Sequence, residues 1–116
     1  MNLEECSNLP GWELVEKGIC DLRDGRLTEH SWLVTCAVTR LRALGLEIPN
    51  AEAGSTEAEL QLYRLLVSSE VSDPYYRYNS MLRRLVSFEQ ALEAVVWRER
   101  RAAASDRPEL ASVQSS

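Results

Sequence analysis

The feature that most constrains the fold is an apolar stripe from Pro74 to about Ala103, repeating at the 3.6-residue period of an α-helix. Asp73 and Pro74 suit an N-cap and a first helical position. Thirty residues in one helix would span about 45 Å, roughly twice the length of any other predicted helix. Alternatively, Ser87-Phe88-Glu89-Gln90 has the form of a capping box and divides the segment into two antiparallel helices.

Two earlier segments carry the same period. The first predicted helix runs from about Pro10 to Leu22, with Asn8 as its cap. The second runs from Glu29 to Leu44, with Thr28 as the N-cap and Gly45 as a left-handed residue after its end. The signals at both ends make the limits of the second helix the best defined in the chain.

A third segment opens with a capping box from Thr56 to Glu59 and continues to about Ser69. Its polar stripe is narrow, because nearly every residue outside the stripe is apolar. We therefore expect this helix to be deeply buried. A connection of ten residues, from Leu46 to Ser55, separates it from the second helix.

These patterns predict an all-α bundle of four helices, or five if the last one breaks. The chain has 116 residues, 45% of them hydrophobic, which suffices for one domain. We expect residues 1–104 to form this domain and residues 105–116 to be a disordered tail, since the tail lacks apolar periodicity. The acidic N-terminus and the lack of a long apolar run predict a cytoplasmic protein with no membrane segment.

Candidate metal and nucleophilic groups are few. Cys6, Cys20 and Cys36 are fourteen and sixteen residues apart, which is not the spacing of a zinc site, and His30 is the only histidine. We interpret the cysteines as reduced thiols and His30 as a partly buried structural imidazole. The sequence predicts neither a metal nor a cofactor.

The segment Arg26-Leu27-Thr28-Glu29-His30 resembles the R-x(4–6)-H motif of the HEPN family of helical RNases and nucleotide-binding domains. That resemblance implies a helical dimer and an RNA or nucleotide ligand. The spacing here is three residues, however, and Arg26 stands before the helix cap instead of on the helix. We therefore do not assign the chain to this family.

Two carboxylate pairs, Glu13-x-x-Glu16 and Glu70-x-x-Asp73, are similar to the Mg²⁺-binding elements of the all-α nucleoside-triphosphate pyrophosphohydrolases. The second pair spans a predicted helix end and the following cap, so its side chains would not project together as metal ligands must. We interpret both pairs as solvated surface acids and predict no enzymatic activity.

The charge pattern gives a weaker indication of function. Eighteen acidic residues against thirteen basic ones give a net charge of −5, which argues against non-specific binding of polyanions. The fourth helix nevertheless places four arginines away from its apolar stripe: Arg83, Arg84, Arg98 and Arg101. Such a face can be plain solvated surface, meet a protein partner, or bind phosphate groups of a nucleic acid.

The function that these observations favour is a non-catalytic helical interaction or regulatory domain, which we expect to be a homodimer. The long helix would carry its apolar stripe beyond its neighbours, and a second copy would cover the excess. The predicted interface residues are Trp32, Phe88, Leu92, Val96 and Trp97. The alternatives are a nucleic-acid-binding or antitoxin-like regulator that uses the arginine face, and a small all-α hydrolase or RNase.

Overall fold

A computed structural model describes residues 6–52 and 54–105. These ranges contain five α-helices and no β-strand, so the predicted all-α fold is confirmed. The helices are α1 (Trp12–Arg23), α2 (Glu29–Cys36), α3 (Val38–Ala43), α4 (Ser55–Ser68) and α5 (Pro74–Ser105). The predicted tail lies outside the described residues except for Ser105, which ends α5.

Helix α5 is continuous over 32 residues, which decides against a break at Ser87. The Asp73 carboxylate accepts a hydrogen bond from the Tyr76 backbone N–H at 3.0 Å, as the predicted cap requires. The apolar stripe of the helix is buried against the rest of the chain at Met81, Leu85, Phe88, Leu92 and Val96.

The predicted helix from Glu29 to Leu44 is wrong in one respect, because the chain divides it into α2 and α3 at Ala37 (φ −120°, ψ 20°). The Thr35 hydroxyl donates to the Ser31 carbonyl at 2.8 Å. A threonine that bonds back to the preceding turn competes with the helical ladder and bends the helix. The predicted ends are confirmed: Thr28 caps α2, and Gly45 follows α3 with a φ of 104°.

Two other predicted caps are wrong. Helix α1 begins at Trp12 after Gly11, whose φ is 82°, and Asn8 does not cap it. The chain passes close to α5 here, since a Cβ on Gly11 would lie 2.6 Å from the Arg84 carbonyl oxygen. The capping box predicted at Thr56 is likewise not formed, because α4 begins one residue earlier with Gly54 as an N-cap without a side-chain bond.

The core lies where α1, α2, α4 and α5 meet. Helix α1 packs along α2 so closely that a Cβ on Gly18 would overlap the His30 carbonyl oxygen. Helix α4 lies against both α2 and α5. The largest fully buried hydrophobic side chains come from all of these helices and from α3: Phe88, Leu33, Leu41, Leu62, Leu66, Leu92, Val15 and Val34.

Candidate interaction surface

Helix α4 has two apolar faces, only one of which is covered. Ala58, Leu62 and Leu66 are buried at intervals of four residues. On the opposite side, an exposed apolar stripe is formed by Leu60, Tyr63 and Val67. The expectation that this helix is deeply buried is therefore wrong. The chain covers one stripe with α2 and α5 and leaves the other accessible.

The exposed stripe borders an open cleft between α4 and the start of α5, which we call the tyrosine cleft. Its volume is about 460 Å³, and it is lined by Thr56, Glu59, Leu60, Tyr63, Tyr75 and Tyr78. The rings of Tyr63 and Tyr78 meet edge to face with their centroids 5.6 Å apart, an arrangement that aromatic pairs prefer. This contact joins the two helices and forms an aromatic wall.

One acidic side chain, Glu59, lines the cleft beside these rings. Burial, followed by the negative charge of Glu59, raises the pKa of the Tyr78 hydroxyl, which therefore stays protonated at neutral pH. Burial raises the pKa of the Cys36 thiol to about 12, with Glu59 again contributing. Cys36 is thus an unreactive thiol near neutral pH, and the charge of the cleft is carried by Glu59.

Exposed apolar side chains are concentrated at this place. Of the eight large hydrophobic side chains that are exposed in the described part of the chain, five belong to α4 or to the first turn of α5. These five are Leu60, Tyr63, Val67, Tyr75 and Tyr76. The other three are Leu27, Val86 and Trp97, of which the last two lie further along α5. Of the five, Leu60, Tyr63 and Tyr75 line the tyrosine cleft, and exposed apolar side chains grouped in this way are typical of a binding site.

The residues predicted for a dimer interface fall into two groups. Phe88, Leu92 and Val96 lie in the core of the single chain, because α5 turns its stripe onto its own neighbours. As a correction, these three do not form an uncovered surface. Trp32 is partly buried against the same core. Only Trp97 is exposed.

The four arginines predicted as an anion-binding face, Arg83, Arg84, Arg98 and Arg101, are all exposed on α5. One of them, Arg84, forms an ion pair with Glu13 of α1. Sequence reasoning missed a different arginine that has a clear structural role. Arg40 of α3 pairs with Glu89 at 3.2 Å and with Glu93 at 2.7 Å, and so ties α3 to the middle of α5.

A second, smaller cleft of about 290 Å³ contains His30. Burial, and then the positive charge of Lys17, lowers the pKa of His30, so the imidazole is neutral at pH 7. The Ser69 hydroxyl on the opposite wall donates to the Glu29 carboxylate at 3.3 Å. Within residues 6–52 and 54–105, no group of three or more His, Cys, Asp or Glu side chains is placed to hold a metal ion.

The sequence contained one signal for the tyrosine cleft. A helix with apolar stripes on two sides must turn one of them away from its own core unless it is fully enclosed.

None of the described helices is long and apolar enough to cross a membrane. Comparisons with protein-family models, with curated proteins and with solved structures found no match.

Proposed function

We propose that this protein is a non-catalytic helical interaction domain that binds another polypeptide through the tyrosine cleft. The observation that carries the proposal is the concentration of exposed apolar side chains along α4 and at the start of α5. If this surface had no partner, polar residues there would make the chain more soluble than apolar ones do. The three exposed apolar side chains that line the cleft, Leu60, Tyr63 and Tyr75, are explained if a partner covers them.

The composition of the surface supports this role. Tyrosine offers a large contact area with few rotatable bonds and keeps a hydroxyl for a hydrogen bond, which is why it is enriched in interfaces. Tyr63, Tyr75 and Tyr78 all line the cleft, and Glu59 adds a negative charge beside them. The chemistry of the cleft fits a partner segment that presents an aromatic side chain flanked by basic residues.

Site-specific photo-crosslinking in cells tests this proposal. A photoreactive benzoylphenylalanine replaces Tyr75 in the cleft, and in a matched control it replaces Glu16 on the exposed side of α1. We expect a covalent adduct with another polypeptide from position 75 and none from position 16. The adduct should disappear when Leu60→Glu places a charge in the cleft.

Equal labelling from both positions, or none from position 75, would contradict the proposal. An adduct from position 75 that persists in the Leu60→Glu variant would do so as well, since the contact would then not depend on the cleft. The mass of the adduct also identifies the partner as a second copy of this chain or as a different protein.

A further inference from the structure

Three exposed apolar residues on α5 lie on one straight line along the helix. They are Tyr75, Val86 and Trp97, which are 67%, 46% and 54% exposed and follow one another at intervals of eleven residues. Eleven residues are close to three helical turns, so successive members lie about 16 Å apart on the same side. The line begins at the tyrosine cleft, of which Tyr75 forms one wall.

The end of α5 that carries Trp97 extends past the cover of its own chain. Val96 is the last buried residue of the helix, and residues 97–104 are all exposed. This end is also basic, because residues 98–101 contain three arginines, Arg98, Arg100 and Arg101, and one acid, Glu99. An aromatic side chain flanked by bases is the chemistry that suits the tyrosine cleft.

We propose that the polypeptide bound in the tyrosine cleft is a second copy of this chain. The two α5 helices run antiparallel about a two-fold axis at Val86, and Trp97 of each copy packs against Tyr75 of the other. This inference rests on the proposed function, because it identifies the partner of the same surface. It differs from the interface expected from sequence, since Phe88, Leu92 and Val96 remain inside each chain.

The spacing makes this arrangement self-complementary. Tyr75 and Trp97 are both eleven residues from Val86, so a two-fold axis at Val86 brings each Trp97 level with the Tyr75 of the other copy. The contact then occurs twice, with Val86 against Val86 between the two. A parallel pair would instead set each residue against its own counterpart and leave both clefts empty.

The charges favour the same orientation. Around the start of α5, three acidic residues, Glu59, Glu70 and Asp73, outnumber two basic ones, Arg64 and Arg77, so this end of the helix is weakly acidic. The opposite end is basic, with Arg98 and Arg101 beside Trp97. Antiparallel packing brings the basic end of each copy to the acidic end of the other, and it also aligns the two helix dipoles favourably.

The four aromatic side chains supply part of the area that a specific dimer needs. A tyrosine or tryptophan side chain can bury about 150–250 Å² in all, and Tyr75 and Trp97 are 67% and 54% exposed in the single chain. Two of each can therefore bury about 350–600 Å² more, whereas a stable interface buries about 1,200 Å² or more in total. The remaining area must come from Val86 and from the surfaces of α5 and the cleft beside these side chains.

Light scattering on the purified protein is the first test. We expect the mass of two chains for the wild type, and at least a tenfold rise in the dimer dissociation constant for Val86→Glu and for Trp97→Ala. Ser87→Glu is the matched control, because it adds the same charge one residue away but turned by 100° around the helix. All three positions are exposed, so circular dichroism should show unchanged helicity.

Disulfide cross-linking tests the orientation. In a Cys20→Ser background, which removes the exposed native thiol, Val86→Cys should cross-link two chains under mild oxidation because the two positions meet at the axis. Trp97→Cys alone should not, since its two copies would be about 33 Å apart along the helices. A mixture of Trp97→Cys and Tyr75→Cys chains should cross-link.

A wild type that remains monomeric, or a dimer that Val86→Glu and Trp97→Ala leave intact, overturns this inference. Efficient cross-linking of Trp97→Cys to itself overturns it too, because it indicates a parallel pair. These failures are distinct from a failure of the proposed function. A monomer that still gives a photo-adduct with a different protein at Tyr75 retains the interaction domain and loses only the second copy.

Discussion

Helices α1 and α2 pack in close contact, whereas α4 and α5 leave an open cleft between them. At the first, Gly18 lets two backbones approach so closely that no side chain fits between them. At the second, Tyr63 and Tyr78 hold the helices apart at an open cleft. The first contact is completed within the chain, and the second leaves apolar surface over for a partner.

Polar groups differ in the same way. The carboxylate of Asp21 is 4% exposed, and it accepts a hydrogen bond of 2.6 Å from the Thr28 hydroxyl between α1 and α2. In the tyrosine cleft, Glu59 remains exposed. A buried polar group must be satisfied inside the fold, whereas an exposed one is available to a partner.

The largest effect should come from Gly18→Ala. The added methyl group would overlap the His30 carbonyl oxygen and a methyl group of Val34, so the two helices must move apart. We expect a loss of about 3 kcal/mol in the free energy of unfolding, measured by urea denaturation. Gly54→Ala is the control, because a Cβ there meets nothing within 4 Å. A loss below about 1 kcal/mol at Gly18 would show that the contact is looser than described.

Thr28→Val should lower the free energy of unfolding by about 2 kcal/mol. The substitution removes the acceptor of the Ser31 backbone N–H in the capping box, and it removes the hydroxyl that donates to buried Asp21. Thr39→Val makes the same chemical change at an exposed position of α3 and should change stability by less than about 0.5 kcal/mol. Equal urea midpoints for the two variants would mean that Arg26, whose guanidinium lies 3.6 Å from the Asp21 carboxylate, satisfies that carboxylate without the Thr28 hydroxyl.

The pH dependence of the free energy of unfolding should show the effect of protonating His30. Because burial lowers its pKa in the folded chain, the unfolded chain, with the ordinary value of 6.5, binds the proton first. His30 therefore contributes its full stability above pH 6.5, and that contribution is lost as the pH falls through the folded pKa. The urea midpoint of the wild type should fall relative to that of His30→Gln over this range.

Burial also raises the pKa of Glu89, which changes the stability with pH in the opposite sense. The difference between the wild type and His30→Gln removes this contribution, since both proteins contain Glu89. A difference that stays constant from pH 7.5 to pH 5 would indicate that the imidazole is as accessible in the folded chain as in the unfolded one.

The smallest effect on stability should be that of Leu60→Ala in the tyrosine cleft. The side chain is exposed, so the free energy of unfolding should change by less than about 0.5 kcal/mol, whereas dimer formation and the photo-adduct at position 75 should weaken. Leu27→Ala, at an exposed leucine outside the cleft, should change neither. A large destabilisation by Leu60→Ala would place Leu60 in the core of the fold.

The sequence predicted those parts of the fold that depend on local signals. Three such features could be predicted: the stripe of α5, the Asp73 cap and the left-handed Gly45. Each of them depends on residues within one or two helical turns. The break at Ala37 could not be predicted. Nothing in the hydrophobic pattern indicates that the Thr35 hydroxyl donates a hydrogen bond to the Ser31 carbonyl instead of pointing outward.

The candidate site was harder to predict because it depends on which face of α4 meets the core. Both stripes of that helix are apolar, and the choice of Leu62 over Tyr63 as the inward residue follows from the fit against α2 and α5. The pairing of Arg40 with Glu93 joins residues 53 positions apart, which no local pattern encodes. Trp97, by contrast, is exposed, and its part in an interface stays a prediction.

The exposed end of α5 has a consequence for how the molecule responds to heat. Residues 97–104 are all exposed, so their helical state depends mainly on backbone propensity, which alanine and arginine provide better than most residues. Such a segment loses its helicity gradually as the temperature rises, whereas the covered bundle melts in one cooperative step. Part of the circular dichroism signal should therefore fade well before the main transition, and dimer formation should move that part into the main transition.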